Sequence, residues 1–279
     1  MAGFGEFGFG NGGGGGAGGG VFDSDINVVL SGGKTLGKYV NGDTIPSTGL
    51  TSEEVMNLIA TEYLVPAFSS FTFNQSSPIE VGVTISGIKT FTWGTSNSSN
   101  VQPNSIEITD VTNARLLGTG LSNDGSEALD LLGAIQKNSE QSNLWQIELT
   151  NTLSGTATRN KTISWSFIQF YGASSATPTN SAQVRSLPSS RFNTSGNNFT
   201  LNTGTVELQY YVAVPLGRTI TSVIDLDALN ADITSEYVDR GTVSVNVDGG
   251  TGAVQTYTLY GMIQAVPYSS NHRHSITLN

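Results

Sequence analysis

Cysteine is absent from the 279 residues, so no disulfide and no thiolate metal site can staple the fold, and stability has to come from packing and assembly. Charge is scarce as well: Asp, Glu, Lys and Arg make up 12% of the chain, about half the usual share, which leaves a neutral, polar surface. Twelve Lys and Arg against 22 Asp and Glu give a net charge of −10, with no basic cluster. That balance excludes a phosphate-tracking surface and, with it, nucleic acid as a partner. No stretch approaches the roughly 20 apolar residues of a membrane span, so membrane insertion is not expected. The first residues lack the basic start and apolar run of a signal peptide. Histidine is limited to His272 and His274, and no Gly-x-Ser-x-Gly elbow precedes an acid and a histidine in order. Nucleophilic catalysis therefore has no visible base.

Glycine is what the chain has in excess. It contributes 34 residues, 12 of them within the opening MAGFGEFGFGNGGGGGAGGG. Glycine loses more backbone freedom on ordering than any other residue, so this stretch cannot fold by itself. A plain spacer needs no aromatics, yet Phe4, Phe7 and Phe9 punctuate it. Residues 1–20 read as an anchoring arm whose phenylalanines attach to a partner, with burial of on the order of 1.5–3 kcal/mol per ring offsetting the ordering cost.

From Val21 the texture changes. Ile26 to Leu30 and Thr35 to Val40 read as short strands around a Gly turn, and VNGDTIPSTG reads as a loop dense in turn formers. In TSEEVMNLIATEYLV, Thr51 and Glu54 have capping-box spacing, with Val55, Leu58 and Ile59 at helical spacing behind them, and Pro66 closes the segment. Residues 21–65 thus form a strand, loop and helix unit too small to hold a core alone, expected to oligomerise or dock. Beyond Pro66 apolar residues alternate with polar ones: Phe71/Phe73, Val81/Val83/Ile85, Phe91/Trp93, Ile106/Ile108, Ile147/Leu149 and Ile163/Trp165/Phe167. After a hinge-like Gly172 to Ala182 the pattern resumes at Phe199/Leu201, Val206/Leu208/Tyr210, Ile220 to Leu226, Val243/Val245/Val247 and Tyr257/Leu259. The fold class is mainly β, with two tandem antiparallel, immunoglobulin-like β-sandwiches at 66–173 and 174–279.

The Gly-Lys-Tyr-Val-Asn-Gly-Asp-Thr-Ile-Pro run at 37–46 ahead of a short helix, followed by the VG…FTWGTSNSSNV module, resembles phage virion structural proteins of the tail-fibre and head-fibre kind. The resemblance covers roughly residues 30–125, with weaker support from AVPYSSNHRHSITLN. It implies a homo-oligomer, usually a trimer, located in the virion. Such a subunit attaches to other virion proteins by its N-terminal region and displays β domains for host-surface attachment to a glycan or protein. A capsid decoration or baseplate adaptor protein is the alternative, and a glycan-cleaving tail enzyme a third reading. The expectation is a protein that is not an enzyme and carries no cofactor or metal.

Several groups could still carry chemistry. Gly33-Lys34-Thr35 lacks the upstream glycine of a phosphate-binding loop. Asp225 and Asp227 would share one face of a strand, the arrangement a glycan-cleaving acid pair would need, and with Asn230 and Asp232 they suggest calcium without the full loop pattern. His272 and His274 also alternate onto one face, and three chains about an axis would present six imidazoles to a transition metal, a use resembling that of some phage spikes. Tyr237, Tyr268 and Asn271 are candidate receptor contacts, whereas Trp93, Trp145, Trp165 and Tyr210 suit the core equally well.

Overall fold

The structure, a computed structural model, describes residues 23–28, 39, 42–60, 64–152 and 154–279. The arm at 1–20 with Phe4, Phe7 and Phe9, and the Gly33-Lys34-Thr35 run, lie outside the described residues. The chain divides into two compact units, Met1–Val65 and Pro66–Asn279.

In the first unit β1 (Ile26–Asn27) pairs antiparallel with β2 (Thr44–Ile45). The segment expected to be all loop therefore holds a strand, flanked by the turn residue Gly42, with φ of 96°, and by Pro46. Helix α1 (Ser52–Ala60) opens with a reciprocal capping box: Thr51 N donates to Glu54 Oε2 at 2.7 Å, and Glu54 N donates to Thr51 Oγ1 at 3.3 Å. Donation to Glu54 Oε2 from Thr51 N and, at 2.8 Å, from Thr51 Oγ1 holds the Glu54 carboxyl below its ordinary pKa. The helix places Val55 against Val28, Tyr39 and Ile45, and these four are the buried apolar side chains of the described part of this unit.

The second unit begins with a lobe of eight strands: β3 (Ala67–Phe73), β4 (Ile79–Glu80), β5 (Ile88–Ser96), β6 (Ile106–Asp110), β7 (Arg115–Leu121), β8 (Gly125–Asp130), β9 (Gln141–Thr150) and β10 (Thr156–Ser166). They form a sheet in the order β4-β10-β9-β6-β7 and another in the order β3-β5-β8. Alternation buries Trp145, Ile147 and Leu149 of β9, and they meet Phe71, Phe73, Phe91 and Trp93 of the smaller sheet in one core. One pairing is parallel, β4 with β10. The run expected as Val81/Val83/Ile85 is shorter than its alternation suggests, because β4 stops at Glu80 and Ile85 only bridges to Ile135.

The second lobe contains β11 (Ile168–Ala173), α2 (Ser181–Arg185), β12 (Ser189–Phe192), β13 (Asn198–Asn202), β14 (Gln209–Pro215), β15 (Ile220–Asp225), β16 (Ala231–Asp232), β17 (Val238–Asn246), β18 (Val254–Ile263) and β19 (Arg273–Leu278). Its sheets run β12-β11-β14-β18-β17 and β13-β19-β15-β16. Sheet membership changes at Phe167, so Gly172 and Ala173 belong to β11 and are no hinge between lobes. The rest of that segment leads into α2, capped by Asn180 Oδ1 accepting from Gln183 N at 3.0 Å. Strand β14 is buried on both faces: Tyr210, Val212 and Val214 face the core shared with the β13-β19 sheet, while Tyr211 and Ala213 face a second core with Val184 and Leu187 at α2.

The lobes lock together through one ion pair. Arg185 of α2 grips both carboxylate oxygens of Glu80 at 2.6 and 3.0 Å, donates to Asn246 O at 3.0 Å and lies 5.1 Å from the Phe170 ring centre. Glu80 also accepts from Gly249 N at 2.7 Å. Gly82 is pressed so close that a Cβ there would lie 2.7 Å from Val247 Cγ2. Glu140 adds a polar seam by accepting from Phe167 N at 3.1 Å and from Asn193 Nδ2 at 3.0 Å.

Candidate functional site

The sequence candidates converge at one end of the β13-β19-β15-β16 sheet. Antiparallel register sets Asp225, the last residue of β15, opposite His274 of β19, and His274 opposite Leu201 of β13. Alternation brings His272 and His274 to the same side, as expected, but that side faces inward. His272 Nδ1–H donates to Asp225 Oδ2 at 2.7 Å, and the His272 ring stacks on Tyr268 with centroids 4.1 Å apart. His274 is wholly buried and shares hydrogen bonds with Tyr237 Oη through Nδ1 at 2.9 Å and with Tyr268 Oη through Nε2 at 3.1 Å. Burial pulls its pKa down to about 4, against the opposing pull of the Asp225 carboxylate. The neutral ring must donate to one tyrosine and accept from the other, which satisfies both nitrogens. The Tyr268 phenol is pushed up to about 12 by burial first and by the Asp225 charge second.

Four expectations change here. With both nitrogens engaged inside one chain, His274 is not presented to a symmetry axis, so the six-imidazole arrangement fails on geometry. Asp225 and Asp227 do not act as a pair. Asp225 is buried, its Oδ1 accepting from Asp227 N and Ala228 N, whereas Asp227 lies past the strand end and holds Arg273 at 2.8 Å. Asp232 is occupied by Thr234 N and Oγ1, which holds its carboxyl below the usual range, and among the described residues no cluster of acidic and histidine side chains is arranged for a metal ion. Tyr237 is core rather than surface; Asn271 is exposed and Tyr268 is half-buried.

Beside this network lies a crevice of about 320 Å³ where the two sheets of the lobe part. It is lined on one side by Tyr171, Gly172 and Ser189 of the β11–β12 pair, and on the other by Thr200, Asn202 and the loop reaching Glu207. The network props this loop from behind. Thr203 N and Oγ1 donate to His272 O at 2.8 and 3.2 Å, and His272 N donates to Thr203 Oγ1 at 2.9 Å. Tyr210, fully buried with its ring against His274, pins the loop by accepting from Gly204 N and sharing its proton between Gly204 O and Glu207 O at 3.2 and 3.1 Å. The Glu207 carboxylate rests on Gly204, where a Cβ would meet Oε2. Val206 and Leu208 are thus loop residues, exposed rather than part of the expected strand, which starts at Gln209.

Of this site, the sequence reading named Asp225, His272, His274, Tyr237 and Tyr268 without joining them. It missed Thr203, Glu207 and the crevice wall. The alternation of Val206, Leu208 and Tyr210 reads as a strand and so hides the loop, and the pairing of β13 with β19 sets Thr203 beside His272. No family model, no curated protein and no solved structure matches this chain.

Proposed function

We propose that this chain is a structural subunit of a bacteriophage virion appendage, a tail or head fibre, joined to other virion proteins through its N-terminal region and presenting its C-terminal lobes to the host surface. In this reading Phe4, Phe7 and Phe9 are the anchor side chains and the subunit is a homotrimer. Each lobe of the second unit is read as a β-sandwich of immunoglobulin-like character, supported by two sheets meeting over a shared core. The parallel β4–β10 pair departs from that pattern.

The observation that carries the reading is the disparity between the two units. Four buried apolar side chains are a small core for the described part of the first unit, and segments of that size need help from other chains. The second unit has large cores of its own, joined by a buried ion pair. A part that needs neighbours and a part that does not suit an attachment end and a display end, with multivalent display raising avidity for weak surface ligands. The test is the solution mass of the full chain and of residues 66–279 by light scattering. A trimer for the first and a monomer for the second are expected; monomers in both cases overturn the reading.

A further inference from the structure

The crevice between β11–β12 and the β13 loop has a chemistry of its own. Its lining includes a phenol at Tyr171, hydroxyls at Ser189 and Thr200, an amide at Asn202 and a carboxylate at Glu207, and it contains no Lys, Arg or His. Ser189, Thr200, Asn202 and Glu207 are exposed, and none of their side chains is engaged by a protein hydrogen bond. By contrast, the polar groups directly behind them are satisfied, through Thr203, His272 and Tyr210. Donors and acceptors of both kinds converge on one cavity above a fixed backing.

An anion would meet the Glu207 charge with no cation to hold it. An apolar ligand would leave hydroxyl, amide and carboxylate groups stripped of water and unpaired. A ligand dense in hydroxyls, uncharged, with an apolar ring edge for the Tyr171 phenol, matches all five groups. The volume sits at the low end for small-molecule sites, about 300–1,000 Å³, which suits one or two sugar rings.

We propose that this crevice binds a neutral saccharide, with the Glu207 carboxylate and the Asn202 amide as its principal hydrogen-bonding groups. Gly204 is part of the device, because the absence of a side chain lets the carboxylate lie against the loop backbone. The inference rests on the host-surface reading for the source of the sugar, but the two fail separately, since one is judged by ligand binding and the other by solution mass.

The experiment is calorimetric titration of the full chain with maltotriose, mannotriose, cellotriose, chitotriose and lactose, and with sialyllactose as the anionic arm. Saturable millimolar binding of at least one neutral member is expected, at one site per chain, and stronger than any binding of sialyllactose. Glu207→Gln and Asn202→Ala should each weaken it about tenfold, as loss of one hydrogen bond to a polar ligand does. Gly204→Ala, which displaces the carboxylate without touching the core, should do the same with an unchanged melting temperature. No saturation by any neutral member at about 20 mM, roughly twenty times a 1 mM Kd, overturns the proposal. So does binding indifferent to Glu207→Gln and Gly204→Ala, or preference for sialyllactose.

Discussion

At the scale of single residues, His274 ties the interior of the second lobe to pH. Its folded pKa of about 4 lies below the ordinary 6.5, so the unfolded chain takes up a proton as pH falls through 6.5 while the folded chain does not until about 4. The contribution to stability is complete above pH 6.5, is lost between 6.5 and 4, and changes no further below that. Between pH 7 and pH 5 the loss attributable to this ring is about 2 kcal/mol. Urea unfolding of the protein and of His274→Gln at both pH values measures it: the difference between the two proteins should shrink by that amount at pH 5. A neighbouring substitution separates scaffolding from core volume. Tyr210→Phe keeps the ring but releases Gly204 and Glu207, and should cost about 1–2 kcal/mol with faster amide exchange at Gly204. Alternation alone makes the shared side of His272 and His274 legible in the sequence. Whether that side faces in or out depends on the tyrosines of distant segments, Tyr237 and Tyr268, and no local pattern encodes them.

At the scale of elements, the capping box of α1 is readable from Thr51 and Glu54 because both halves lie within one turn. Thr51→Ala should lower helix stability by about 1 kcal/mol, visible as faster hydrogen exchange over Val55–Ile59 and no change in the second unit. Strands β5, β6, β9 and β10 are legible for the same local reason, since each buries every second side chain over its inward stretch. Elsewhere local composition misleads. Thr44–Ile45 sits among turn formers yet pairs with Ile26–Asn27, and Val206 and Leu208 alternate like a strand while lying in a loop. Helix α2 carries the signature Asn180-x-x-Gln183, but its Ser-, Thr- and Pro-rich approach reads as linker. Strand β14 reads as continuous hydrophobe because it is buried on both faces, a mark of position inside the lobe rather than of periodicity.

At the scale of the whole molecule, the predominance of β structure is legible in the sequence and the joint between lobes is not. Glu80 and Arg185 are 105 positions apart, and nothing near either announces the other. Arg185→Met leaves the Glu80 carboxylate buried with one remaining donor, Gly249 N, and should destabilise the second unit by about 3 kcal/mol or more. Pairing it with Glu80→Leu should restore much of that loss, because an apolar pair avoids stranding a charge. Denaturant unfolding should be single-step for the unaltered chain over Pro66–Asn279 and split into two steps in Arg185→Met, if the pair is what makes the lobes unfold together.

The double burial of β14 bears on how the crevice would meet a guest. A strut gripped from above and below is held in place, and the span from Thr203 to Leu208 that runs into it is tethered in turn by the Tyr210 hydroxyl. Recognition there would be lock-like: fast on-rates, little ordering entropy to repay, and discrimination set by the outline of the cleft rather than by a closing movement.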